Sequence, residues 1–504
     1  MHTAARATSS SLSLPAASLH GHDTVPLSQA MALLAIVGDL SMGQPIDGSA
    51  RAARLAARVA AAAGGDAAAC EHARMVTLLR WSGCTANASG FAVLMGDDVG
   101  GRHALVSRNL NPQQAKQLAD TTALAEIHCE VSGDIAAMMG LPAAVESGLR
   151  NIWEQVDGNG NPQRLRGDAV PDVVFHANLG GDLEILTRVH GAERALEMVA
   201  QLGDVKYPAR LVALAAPHAR AWLDELEFAE EQAPPPDFLP VSVPLTLVAD
   251  MIELKLPWLA GYSRRVAVLA QEAAQLAGLP EAQQRLLARA ALLHGIGRAA
   301  VANTVWERSG RLSVADWEAV RLVPYWTARA GSRIDGLGPE AQLASHVYER
   351  LDGSGYFRSL DADTLGAPQR LLGAAAAHVA LRSPRPWRAA HEPAAAIALL
   401  EAQVTGGRFD RAAVDAVLAA AAGVRAASGT TGSAGAGVPA RAMLSVREAE
   451  VLQRISLGES NKEAARALRI SPSTVRTHVE SIFRKLGCST RAAATLKALT
   501  LGLI

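Results

Sequence analysis

Lysine, aromatic residues, cysteine and long apolar runs are all scarce in this 504-residue chain. Six of its 48 basic residues are lysines (Lys116, Lys206, Lys255, Lys462, Lys485 and Lys497), so arginine carries most of the positive charge. Aromatic residues make up 4%, which leaves Ala, Leu and Val to fill the cores. Long Ala/Leu/Arg/Glu stretches favour helix over strand. The four cysteines, Cys70, Cys84, Cys129 and Cys488, stand far apart with no C-x-x-C pair. That spacing excludes a disulfide framework or a zinc ribbon and reads as buried thiols in a reducing compartment. No apolar run reaches the ~18 residues a membrane span needs, and the N-terminus lacks the basic-then-apolar order of a signal peptide. The expectation is a soluble cytoplasmic protein that meets no membrane.

Hydrophobic residues at 49% and charged residues at 19% are ample for packed cores and exclude a mostly disordered chain. At roughly 100–200 residues per domain the length predicts about three domains. The formal net charge of −1 hides an asymmetry. From Arg441 onward there are 11 Lys+Arg against 5 Asp+Glu, net +6, which leaves the rest at −7. A compact basic module follows a mildly acidic body.

Punctuation divides the chain further. Residues 1–26 are Ser/Ala/His-rich and read as a flexible tail. Residues 229–247, with Pro234-Pro235-Pro236, Pro240 and Pro244, cannot be helix interior and read as a Pro-rich connector. Residues 424–441, rich in Gly, Ser, Thr and Ala, read as a flexible linker. The segments between them are 27–228, 248–423 and 442–504. The first two repeat each other. The run SARAARLAARVAAAAG from Ser49 matches SRRVAVLAQEAAQLAG from Ser263, and LLRWSG from Leu78 matches LLHGIG from Leu292, both at an offset of 214. The run WEQVDGNGNP from Trp153 matches YERLDGSGYF from Tyr348 at an offset of 195. The spacing implies a tandem all-α duplication with extra residues in the first copy around Gly96–Gln117, and with Asp157 and Asp352 at equivalent turns.

The last segment carries helix-start signals in close succession. Ser445 with Glu448 and Ser460 with Glu463 are capping boxes, Ser471-Pro472 opens a third helix, and Thr490 can cap a fourth. A short second helix, a tight turn at Arg469–Ser471 and a longer third helix make a helix-turn-helix. The pattern LSxREAEVLxxISxGxSNKEAAxxLxISxSTVRTHVxxIFRKLGCSTRAAA closely resembles the LuxR-type (GerE-like) DNA-binding domain over the whole segment. That resemblance implies double-stranded DNA as partner, bound by a homodimer. It puts Arg476, Thr477 and Glu480 toward base edges, and Ser473, Thr474, Lys462, His478, Arg484, Lys485 and Arg491 toward phosphates. Glu480 departs from members with a basic residue there. The fourth helix, around Thr490–Leu501, would be the dimer surface.

The second copy resembles HD-GYP domains, the HD-superfamily phosphodiesterases of cyclic di-GMP, over about Leu259–Leu418. YSRRVAVLA, LLHGIGRAAV, YERLDGSGYF and RLLGAAAAHVALRSPRPWR carry the resemblance. Chemistry in that family needs cations held by His and Asp. The resemblance places Tyr262, His294-Gly295, Val323, Val347-Tyr348 and Ala376 at the ligand positions, with Arg298 where a lysine is usual, so one ligand of seven survives. In the first copy the same positions hold Gly48, Arg80-Trp81 and Ile152-Trp153, and His128 alone persists. His346, His378, His391, Glu349 and Asp352 read as surface or hydrogen-bonded residues, with Asp352 a turn former. His294, Arg298, Arg382, Arg385 and Arg388 are candidates to face an anionic ligand.

The expected fold is thus all-α: two helical HD-GYP-like domains in tandem plus a four-helix LuxR-type helix-turn-helix domain. The expected function is a bacterial DNA-binding transcription regulator. Its degenerate body would act as sensor, docking surface or dimerisation module, with a nucleotide or a protein as its partner. On this reading the chain is not an enzyme and has no catalytic residues, no metal ligands and no cofactor. One rival reading is a metal-dependent phosphohydrolase of cyclic di-GMP or another nucleotide fused to a DNA-binding domain. A second is a docking adaptor whose helix-turn-helix only dimerises.

Overall fold

A computed structural model describes residues 23–118, 121–228, 241–430 and 443–504. Most of the expected tail, the triple proline of the connector and residues 431–441 of the linker lie outside the described residues.

The fold is all-α apart from one pair of three-residue strands, Thr24–Pro26 and Ser242–Pro244. These strands correct the reading of residues 24–26 as tail and of 242–244 as irregular connector. Each strand is a β-branched valine between polar and proline neighbours, and Val25 and Val243 are both buried. The strands pair antiparallel with Val25 opposite Val243. Leu27 N donates to Val241 O at 3.0 Å, and Leu245 N donates to Asp23 O at 2.9 Å. Each bond is the counterpart of the other. The two prolines cannot donate, so the ribbon stops at one turn of pairing and a helix starts on each side, Leu27–Ser41 and Leu245–Glu253.

The same correspondence runs through the body. Helices Gly48–Ala62 and Ala67–Leu79 in the first half match Tyr262–Leu276 and Glu281–Leu293 in the second. Asp39 receives the Ser49 N–H at 2.9 Å, and Glu253, 214 residues later, receives the Ser263 N–H at 2.5 Å. Glu154 accepts from Gln163 N and Leu165 N, while Glu349 accepts from Arg358 N and Leu360 N. Asp157 caps its own turn through Asn159 N, as Asp352 does through Ser354 N. Two glycines mark a close helix approach. A β-carbon on Gly83 would lie 2.3 Å from His128 O, and one on Gly297 would lie 2.0 Å from Val323 O, so neither position admits a side chain.

The halves meet around equivalent residues. Asn303 Nδ2 donates to the Ser89 hydroxyl at 3.2 Å. Beside it, buried Asp98 takes Lys255 Nζ at 2.5 Å and Asn303 N at 2.7 Å, with Arg102 Nη1 at 3.5 Å. One apolar core runs across both halves, from Leu33 and Ile135 to Leu292 and Val414. The helix Arg411–Thr430 extends through the seven residues 424–430 assigned above to the linker, because Ala and Arg there sustain a helix already begun.

The C-terminal module packs its own core from Val451, Leu452, Ile455, Val475, Ile482 and Leu486. Its helices are Val446–Ser456, Asn461–Leu468, Pro472–Leu486 and Arg491–Thr500, capped by Ser445, Ser460, Ser471 and Thr490. Arg469 ends the second helix at φ 55°, the left-handed turn that swings the chain into the third.

Candidate functional site: an arginine–aromatic cluster and a helix-turn-helix

The helix-turn-helix presents its third helix outward. Ser473, Thr474, Arg476, Thr477 and Glu480 are exposed and His478 is half-buried. Arg476 Nε bonds Glu480 at 2.9 Å across one helical turn, and the Thr477 hydroxyl donates to Ser473 O at 3.2 Å. Lys462 and Arg484 are exposed. Two of the expected phosphate contacts are already engaged inside the module. Lys485 Nζ pairs with buried Glu448 at 2.7 Å, and Arg491 bonds Glu459 O and Asn461 Oδ1, both at 2.6 Å.

The last helix of the module lies against the body. Ala493 and Leu496 belong to the body's apolar core. Lys497 Nζ sits 3.1 Å from Asp134 Oδ2, and Ser489 N donates to Glu130 Oε1 at 2.5 Å. A β-carbon on Gly261 would lie 3.5 Å from Leu499, and one on Gly458 would lie 3.2 Å from Pro257. The segment Pro257–Tyr262 therefore lies beside the module at Pro257 and at Gly261.

That segment also lines the site of the second copy. Tyr262 is buried and donates its hydroxyl to Ala376 O at 2.9 Å. His294 Nδ1 lies 2.5 Å from Ala291 O, which places the proton on Nδ1, and Nε2 then accepts from Arg298 Nη2 at 3.1 Å. Burial, followed by the charge of Arg298, pushes the His294 pKa down to about 3, so the ring is neutral. Arg298 also donates to the Tyr348 hydroxyl at 2.9 Å and stands 5.2 Å from the Tyr262 ring. Arg385 faces the Trp258 and Tyr262 rings at 4.8 and 5.2 Å. Trp258 meets Trp387, and Tyr348 stacks on Tyr356 at 5.0 Å.

Of the arginines expected to face an anion, Arg382 bonds the His391 carbonyl and Arg388 bonds carbonyls at the end of the helix Ala367–Arg382, whereas Arg298 and Arg385 face the rings. The sequence reading missed the aromatic wall. The signal was scarcity itself: Trp258, Tyr262, Tyr348, Tyr356 and Trp387 converge here in a chain that is 4% aromatic. Glu349 and Asp352 organise their turn.

The first copy is closed differently. His128 Nε2 meets Arg80 O at 2.9 Å, its ring packs edge-on against Trp153, and Trp81 lies beside them. Cations held by His and carboxylate do not fit either set of residues. In the second copy the His294 nitrogen free of a proton already faces the Arg298 guanidinium. Among the described residues no group of three or more His, Cys, Asp or Glu is placed to share an ion.

Residues 246–413 match the family model described as HD domain, and residues 442–498 match the model described as bacterial regulatory proteins, luxR family. The chain joins an HD domain to a luxR-family regulatory domain. A relative named 3'3'-cGAMP-specific phosphodiesterase 3, from Vibrio cholerae, is 28% identical over 55% of this chain and 63% of its own length. A probable transcriptional regulatory protein NarL from Mycobacterium tuberculosis is 49% identical over 61 residues, 12% of this chain and 28% of the relative. The chain thus spans less than two thirds of the length of these curated relatives. The crystal structure of a cyclic GMP-AMP-specific phosphodiesterase of V. cholerae shares the fold, with a TM-score of 0.57 at 22% identity over 79% of this chain and 98% of that one. No described helix is long and apolar enough to cross a membrane.

The HD homology corrects the expectation that this chain is not an enzyme. Its HD region is homologous to a named phosphodiesterase, which makes phosphodiester hydrolysis an activity to assay.

Proposed function

We propose that the chain is a DNA-binding regulator whose HD body takes a 3'3'-linked cyclic dinucleotide and passes its presence to the DNA-binding module. The observation that carries the proposal is the position of Pro257–Tyr262, which lines the Arg298 cluster with Trp258 and Tyr262 and lies beside the module at Pro257 and Gly261. The name of the V. cholerae relative supplies the ligand class. Its homology also favours a second form of the reading, in which the bound dinucleotide is hydrolysed.

On this proposal the units are 27–228, 248–423 and 442–504, with the strands Thr24–Pro26 and Ser242–Pro244, the start of the helix Leu245–Glu253 and the helix end to Thr430 added to the body. Two copies act together on DNA, because a lone module of this size contacts few phosphates. Arg476, Thr477 and Glu480 read base edges. Ser473, Thr474, Lys462, His478 and Arg484 meet phosphates, and Lys485 and Arg491 do so after releasing their partners inside the module.

The test is a gel shift on the DNA upstream of the chain's own gene, with and without 3'3'-cGAMP, together with chromatography of the nucleotide after incubation. Sequence-selective binding that changes several-fold with nucleotide is expected. Indifference of DNA affinity to the nucleotide would remove the proposed control, and a linear dinucleotide product would establish the hydrolytic form.

A further inference from the structure

The charge in the Arg298 cluster is unbalanced. Arg298 is buried, and its Nη1 has no hydrogen-bond partner. An unsatisfied buried donor is costly, so a folded chain that keeps one has an acceptor to gain. Arg385 approaches from the other side of the Tyr262 ring, and neither arginine pairs with a carboxylate among the described residues. Glu253, whose charge acts on Arg298, is turned toward the Tyr262 and Ser263 amides. The deep wall, of Tyr262, His294 and Arg298, is buried, while Trp258, Tyr348, Tyr356 and Arg385 are half-buried and Trp387 is exposed. The cluster thus runs from the interior to the surface.

Two kinds of surface meet there. Guanidinium forks match the paired oxygens of a phosphodiester. Flat rings match purines, because every base has a π-face that stacks on an aromatic side chain. Inorganic phosphate would satisfy the forks and leave the rings bare. A neutral aromatic compound would cover the rings and leave Arg298 unpaired. A purine cyclic dinucleotide carries both groups in one molecule.

We infer that Arg298 and Arg385 supply the positive charge that cations supply in a metal-dependent site, and bind a phosphodiester of a cyclic dinucleotide without metal while its bases stack on the Trp258 and Tyr348–Tyr356 rings. This inference rests on the reading that the body takes a cyclic dinucleotide.

The experiment is calorimetric titration of the full chain with 3'3'-cGAMP and with cyclic di-GMP, in EDTA and in Mn²⁺, with tryptophan fluorescence as a second signal. Equal affinity in EDTA and Mn²⁺ is expected. Arg385→Gln, on the half-buried side, is expected to weaken binding at least tenfold with an unchanged circular dichroism spectrum. Arg298→Lys, which keeps charge and loses the fork, is expected to weaken it less than Arg298→Met. Binding that appears in Mn²⁺ and vanishes in EDTA would overturn the inference and leave the reading of the body intact. Inorganic phosphate competing at the same affinity as the dinucleotide would also overturn it, by showing a bare anion site. No dinucleotide binding in either condition would remove both.

Discussion

Lys497 on the last helix of the module is paired with Asp134 on the body, Nζ to Oδ2 3.1 Å. Asp134 also takes Arg150 at 2.8 Å, and Glu130 beside it accepts the Ser489 N–H. An acidic edge of the body thus holds a basic helix, whose Leu496 is buried in the body's core. The LuxR resemblance assigns this same helix to dimerisation, so in this arrangement it is shared between two uses.

Lys497→Glu is therefore expected to loosen the module. One partly buried pair is lost and a like charge takes its place, an effect of roughly 1 kcal/mol. Hydrogen exchange should quicken several-fold in residues 122–138 and 491–500, and DNA affinity of the full chain should change with it. High salt should mimic part of the effect in the unsubstituted chain. If exchange in both helices is unaltered, the pair does not hold the module.

The joint between the two halves gives a sharper expectation. Lys255 and Asp98 are both buried and bonded at 2.5 Å. Lys255→Met leaves the Asp98 carboxylate with Arg102 at 3.5 Å and the Asn303 amide, so a loss of about 3–5 kcal/mol is expected. Asp98→Asn in the Lys255→Met background removes the stranded charge and should recover part of the loss. Chemical denaturation of the single and double variants measures this, and additive losses would show that the two residues are not coupled.

Much of this fold was legible in the sequence, because caps and repeats are local signals. Ser445, Ser460, Ser471 and Thr490 each cap the helix expected of them. The all-α class followed from Ala/Leu/Arg/Glu composition. The Val25–Val243 ribbon was not legible, since three residues set no period and their partner lies more than 200 positions away. The Arg298 cluster was half legible. His294, Arg298 and Arg385 were candidates, but Trp258, Tyr356 and Trp387 come from separate segments that only the fold brings together. Lys485 and Arg491 show the converse limit, because exposure and charge on a helix do not reveal that Glu448 and Asn461 are within reach.

Asp39 and Glu253 predict a pH dependence. Burial is the largest influence on each and pushes both carboxyl pKa values up to about 7, from 3.8 and 4.5. Arg80 and Ser49 pull Asp39 down and Glu184 pushes it up. Ser263 and Arg265 pull Glu253 down, while Asp250 pushes it up. The folded state thus holds these protons more tightly than the unfolded chain. Their contribution is full below about pH 4 and is lost as pH rises through 7, at no more than ~1.4 kcal/mol per unit for each group. Stability of the body should fall by a few kcal/mol between pH 5 and 8. Glu253→Gln should flatten roughly half of that slope, and a slope unchanged by the substitution would assign the dependence elsewhere.

The recognition helix separates specificity from general affinity. Arg476 is exposed, and its bond to Glu480 is an i,i+4 surface pair worth only ~0.3–0.5 kcal/mol, so it gives way easily to a base edge. Arg476→Ala is expected to relax preference at about one base position at a cost of ~1–3 kcal/mol, with little loss of fold stability. Arg484→Ala removes an exposed charge and should weaken all sequences alike, reducing the salt slope by about 1. Lys485→Ala should do that and also destabilise the module, because Glu448 loses the cation paired with it inside the module. Binding-site selection, salt titration and thermal unfolding of the three variants distinguish these outcomes. An unchanged base preference in Arg476→Ala would move base reading away from this face, and an unchanged melting point in Lys485→Ala would free that lysine to be a simple phosphate contact.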